Sequence, residues 1–112
     1  MADHWSAWRP FPDPGSGGLL TAPFGPGCYE LRHQDGRLVL FGMGGHVAMR
    51  MTSLLPQPQG AGTRNNADKR AYVLENLTTI EYRTIACSNR QDALLVEQGL
   101  ACNKGAYIFP ER

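Results

Sequence analysis

The chain has almost no excess of charge of either sign: 11 Lys and Arg against 10 Asp and Glu leave a net charge of +1 over 112 residues. A bulk electrostatic case for nucleic acid is therefore missing. Any phosphate-binding surface has to come from local clustering of a few cations. Cysteine is scarce too. Cys28, Cys87 and Cys102 are odd in number and lack Cys-x-x-Cys spacing. That argues against a disulfide framework and a zinc ribbon, and leaves free thiols in a reducing compartment as the plain reading. No apolar run approaches the length of a membrane span. The early residues Asp3, Trp5 and Trp8 do not form the apolar core of a secretory leader. The expectation is a soluble cytoplasmic protein of about one domain, with a hydrophobic share of 42% sufficient for one modest core.

Proline, glycine and serine concentrate at the N-terminal end, from Arg9 to Gly18. Residues 1–24 read as an extended arm and 25–112 as the folded domain. Trp5, Trp8 and Phe11 are unusual in a disordered tail, so the arm is expected to pack on the domain rather than to stack on bases.

A hairpin follows. Gly27 to His33 alternates, with Cys28, Glu30 and Arg32 on one face and Tyr29 and Leu31 on the other. Asp35-Gly36 is a tight-turn dipeptide, and Arg37 to Gly42 is a second strand with the apolar centre Leu38-Val39-Leu40-Phe41. After Gly44-Gly45, the spacing of Val47, Arg50, Met51, Leu54 and Leu55 predicts a helix over 46–55, ended by Pro56. A second helix, capped by Asn65 or Asn66, runs through Tyr72, Val73 and Leu74 to about Leu77. Thr79 to Cys87 alternates and is rich in strand formers. Ser88 or Asn89 caps a last helix over 90–100, expected to fray near Gly99. Gly105 to Phe109 reads as a short closing strand or extended tail. The order is β-β-α-α-β-α: an α/β (α+β) fold with a three-stranded, mainly antiparallel sheet flanked by helices.

Three residues stand out as candidates for chemistry: Tyr29 on the first strand, Arg50 within an apolar stripe, and Glu97 after Leu94, Leu95 and Val96. On residue type alone, Arg50 and Glu97 read as boundary residues with snorkelling stems. Their order along the chain adds a resemblance. Gly27-Cys28-Tyr29 resembles the Gly-apolar-Tyr motif of the GIY-YIG nucleases. Leu40-Phe41-Gly42 stands where that family has Tyr-apolar-Gly. Arg50 sits at the family's Arg position on the following helix, and Glu97 resembles its metal-binding Glu. The likeness spans roughly residues 25–100.

The resemblance implies hydrolysis of DNA phosphodiester bonds with one divalent metal, Mg²⁺ or Mn²⁺. Glu97 would hold the cation, Arg50 would stabilise charge on the scissile phosphate, and Tyr29 would orient water or phosphate. Two positions depart from the family pattern. The second motif's Tyr is Leu40 here, and the basic residue often found after the motif's Gly is Met43. His46, at the start of the helix, is the candidate replacement base, although a helix-terminal His is more often structural.

One further stretch is cationic. Arg64, Asn65, Asn66, Lys69 and Arg70 gather around the start of the second helix and are the candidate nucleic-acid contacts outside the core site. Their bland reading is a solvated loop with an Asn cap. Two rivals remain beside the nuclease. One is a non-catalytic nucleic-acid-binding module of the same fold, favoured by Leu40 and Met43. The other is a small protein-interaction domain in which Arg50 and Glu97 form an ion pair. From size alone, a homodimer or a partner protein is expected to supply specificity.

Overall fold

The Asp35-Gly36 turn joins two seven-residue strands, β2 (Gly27–His33) and β3 (Leu38–Gly44). Gly36 has φ +97, a left-handed backbone that glycine adopts without steric cost. Asp35 closes the turn by accepting hydrogen bonds from the Arg37 backbone N–H (3.0 Å) and from its guanidinium (2.9 Å). These bonds hold the Asp35 carboxyl below its usual range. This computed structural model describes residues 5–12, 20–51 and 67–109.

The remaining elements are β1 (Arg9–Pro10), α1 (Val47–Met51), α2 (Ala67–Glu75), β4 (Ile80–Ala86) and α3 (Arg90–Ala101), followed by a 3₁₀ turn at Lys104–Ala106. The sheet has four strands, not the three expected, in the order β1-β4-β2-β3, and every neighbour pair is antiparallel. The added strand is β1, inside the N-terminal arm. It pairs with β4 through Arg9↔Tyr82 and Pro10↔Glu81. Two residues are too few to show a period, and proline is tolerated because β1 is an edge strand.

β2 lies in the middle of the sheet and is buried on both faces. One face carries the larger core, where Tyr29, Leu31 and Leu40 meet Val47 and Met51 of α1, Val73 of α2, and Phe11 of the arm. The other carries a smaller cluster of Cys28, Ile85 and Ala93, flanked by Trp5, Met43 and Val96.

The expected packing of the arm takes a definite form. Ser6 and Phe11 donate backbone hydrogen bonds to Thr84 (2.8 Å) and Ile80 (2.9 Å). The Trp8 ring lies 4.1 Å from the Arg32 guanidinium, and Trp5 lies 4.3 Å from that of Arg83. Such cation–π contacts stabilise by about 0.5–1 kcal/mol each where partly exposed. Arg83 in turn pairs with the buried Glu30 carboxylate at 2.7 Å, and the Tyr107 hydroxyl donates to the second Glu30 oxygen. Burial and this carboxylate both push the Tyr107 hydroxyl up.

Asn89 caps α3, accepting from the Asp92 backbone N–H at 2.8 Å. The helix passes through Gly99 to Ala101 rather than fraying, and a Cβ at Gly99 would meet nothing within 4 Å, so the glycine answers no packing demand. The closing segment is a 3₁₀ turn, not a full strand. Among the described residues a single bridge, Leu38↔Tyr107, links it to β3, with Ile108 and Phe109 donating to Leu38 and Val39. Among the described residues, no helix is long and apolar enough to cross a membrane.

Candidate active site

Two glycines decide how Tyr29 and Arg50 are presented. Tyr29 on β2 is the register partner of Gly42 on β3. A Cβ at Gly42 would fall inside the Tyr29 hydroxyl and ring, so the ring lies flat across this glycine. Two residues further along β3, the Cβ, Cγ and Cδ of Arg50 pass 3.6–3.8 Å from where a Cβ at Gly44 would be. The second strand of the hairpin thus acts as a floor. Its glycines leave room for a phenol and an aliphatic stem side by side.

Above that floor the Arg50 guanidinium donates a hydrogen bond to the Tyr29 hydroxyl. Arg50 is an exposed residue of α1, whereas Tyr29 is only 8% exposed. Burial pushes the Tyr29 hydroxyl above its ordinary value. The nearby Arg50 cation opposes that shift, and the Glu97 and Cys28 groups add to it. Tyr29 is therefore a neutral phenol at physiological pH. Its proton is available for donation, and it is a poor base.

Glu97 projects from α3, one helical turn beyond Ala93, and is 3% exposed. Its Oε2 is enclosed and accepts no hydrogen bond among the described residues, although the residue itself is engaged and acts electrostatically on both Tyr29 and Cys28. Tyr29, Arg50 and Glu97 are thus electrostatic neighbours.

The other candidates stand apart. His46 accepts a hydrogen bond at Nδ1 from the Met49 backbone N–H (3.1 Å), the geometry of a side chain capping α1, and its ring stacks on Phe24. Leu40 is 1% exposed, part of the apolar core with Leu31 and Val47. Strand β3 therefore brings no second hydroxyl to the site. Met43 is half-buried beside the smaller cluster. Lys69 and Arg70 are half-buried on α2, each engaged by neighbours. Arg64, Asn65 and Asn66 lie outside the described residues.

The sequence pattern alone missed the part played by Gly42. Its signal was the strand register, which a hairpin with an Asp-Gly turn fixes closely enough to set Gly42 opposite Tyr29. It also missed Phe24, hidden in the Pro-Phe-Gly-Pro lead-in.

Cys28 sits behind the site on the opposite face of β2, and its thiol donates to the Ala93 carbonyl at 3.2 Å. Burial first, then the neighbouring Cys87 and Glu97, push this thiol up to about 12. A raised value keeps the group protonated as pH climbs, so alkaline buffer short of that range does not activate it. In a thiol-reagent time course at pH 8, the exposed Cys102 is expected to react first and Cys28 only after denaturant is added. Rapid labelling of all three in the native protein would contradict this placement.

Comparison with models of known families, with curated proteins and with solved structures finds no significant match.

Proposed function

We propose that the chain is a GIY-YIG-like endonuclease domain that binds DNA and hydrolyses phosphodiester bonds with a divalent metal. The observation that carries this reading is that the Tyr29 ring and the Arg50 stem lie side by side over Gly42 and Gly44, where Arg50 bonds to the Tyr29 hydroxyl and the buried Glu97 carboxylate acts on it. A phosphate needs a fixed cation and directed donors. Arg50 offers its planar fork from an exposed position, and its bond to Tyr29 sets the direction of that fork. With its oxygen accepting from Arg50, the neutral Tyr29 hydroxyl keeps its own proton for a phosphate oxygen or the attacking water.

The donor chemistry fits a hard cation. Glu97 and Tyr29 supply only oxygen, and among the described residues no group of three His, Cys, Asp or Glu is gathered. A site of one carboxylate completed by water suits Mg²⁺ or Mn²⁺, which keep several waters, and does not suit zinc. When bound, the metal supplies positive charge that stabilises the leaving oxygen.

A second reading is favoured by Leu40, whose burial in the core leaves the site without the second motif's phenol: a DNA-binding module of the same fold that does not cleave. Supercoiled plasmid separates the two. The nuclease reading predicts nicked circles in Mg²⁺ or Mn²⁺ and none in chelator. Binding that weakens with salt, with no nicking in either metal, would replace it with the binding module.

A further inference from the structure

The geometry points to Phe24 as a stacking platform for an unpaired base of DNA at the edge of the candidate active site. This rests on the reading of that site as DNA-binding. A lone exposed phenylalanine needs no function, because apolar atoms cover much of any protein surface. Phe24 differs in how it is held and in what surrounds it.

Its side chain is 80% exposed, yet its backbone is pinned on both sides. The Pro23 and Gly25 carbonyls accept from the Ala48 (2.8 Å) and Val47 (3.0 Å) backbone N–H groups at the start of α1. The Pro26 carbonyl accepts from Cys87 N–H at 2.9 Å. The Phe24 ring stacks on His46, with centroids 5.4 Å apart and planes 23° from parallel. The offset contact with His46 thus positions the ring before any ligand arrives and leaves most of it open. Ordering it on binding costs little, which is the condition for an effective stacking surface.

The setting supplies the rest of what a single strand needs. His46 caps α1 and Arg50 lies one turn further along it, the Arg50 N–H donating to the His46 carbonyl (3.0 Å). The Phe24–His46 pair therefore sits at the start of the short helix that carries Arg50, the proposed phosphate clamp, one turn later. Arg90 lies over Gly45, with its Nη1 3.3 Å from where a Cβ there would be, and adds a second cation near the start of that helix. An aromatic face flanked by cations is the pattern of single-strand binding. The ring takes a base whatever its identity, and the cations follow the backbone. A base in an intact duplex is already stacked on its neighbours and has no face to offer, so the platform selects DNA that is single-stranded or locally opened.

The test measures binding in chelator, so that cleavage plays no part. The probes are a short single-stranded oligothymidylate and a blunt duplex of the same length. Phe24→Ala is expected to weaken single-strand binding by roughly ten-fold or more, in line with the loss of one stacked base. Phe24→Trp restores it. Duplex affinity changes little, and the salt dependence of single-strand binding keeps its slope, since a stacking contact releases no counterions. Phe24 is so exposed that its replacement leaves the unfolding midpoint unchanged, which is the folding control. Equal weakening for strand and duplex, or no weakening in Phe24→Ala, overturns the proposal. A wild-type chain that binds no DNA at low salt overturns both it and the DNA-binding reading. A Phe24-dependent preference for single strands without any cleavage in Mg²⁺ supports the platform and removes only the nuclease.

Discussion

Gly27→Ala is expected to lower stability by about 3 kcal/mol, the upper end of what forcing an extra carbon into a packed interior costs. Gly27 begins β2 opposite Gly44 of β3 and Ala86 of β4, and it is buried. A Cβ there would overlap the Ile85 backbone carbonyl oxygen and lie 3.1 Å from Val47 Cγ2. The obstacle is main chain in the adjacent strand, so no side-chain rotation relieves it. Either the central pair of strands separates or β4 slides, and both disturb the face on which Tyr29 sits. For a domain whose whole stability is about 5–15 kcal/mol, the loss is a large fraction. In urea, with a slope of about 2 kcal/mol per molar, the midpoint falls by roughly 1.5 M. Gly105→Ala is the control, because nothing lies within 4 Å of its Cβ position. Equal midpoints for the two variants would mean that the strands are not spaced as described. The glycine that opens the Gly-Cys-Tyr motif is thus explained by the close approach of a neighbouring strand rather than by chemistry.

The second large effect is on cleavage. Arg50→Ala removes the exposed guanidinium and releases the Tyr29 hydroxyl from its hydrogen bond. Loss of one oriented donor at a site of developing negative charge typically costs about 10²–10³ in rate, and on the proposed nuclease reading Arg50 has two roles. Arg50→Lys keeps the charge without the planar fork and is expected to recover only part of the activity. Stability should change little, because Arg50 is exposed and its stem rests on the open side of Gly44. A cleavage rate in Arg50→Ala equal to that of the wild type would remove Arg50 from the site.

Much of the scaffold was legible because its signals are local. The Asp35-Gly36 turn, the alternation in β4 and the Asn89 cap of α3 each follow from neighbours within a few residues. The fourth strand was not legible, for β1 is two residues long and one of them is a proline. Nor was the burial of Glu30, which alternation assigns to the same face as Arg32. Trp5, Arg83 and Tyr107 come from three distant segments to cover and satisfy it. The C-terminal segment carried strand-like residues, yet Lys104–Ala106 coil into a 3₁₀ turn, and among the described residues the segment adds one bridge to β3.

The site divides in the same way. The order of Tyr29, Arg50 and Glu97 along the chain was what favoured a shared site, since Arg50 and Glu97 alone read as ordinary boundary residues. Leu40 lies on the buried side of β3, so the position at which the resembled motif has its second Tyr is part of the core here. The hairpin glycine that follows it still has a task, which is to make room for the Tyr29 ring.

The measurement that bears most directly on the central claim is plasmid nicking by Glu97→Gln against the wild type, in Mg²⁺ and in Mn²⁺, with urea midpoints taken alongside. Gln has the shape of Glu without its charge, so it tests the carboxylate rather than the packing around α3. We predict metal-dependent nicking by the wild type, a loss of at least about 100-fold in Glu97→Gln, and a variant that remains folded. A folded Glu97→Gln protein that nicks DNA as fast as the wild type would contradict the assignment of this site.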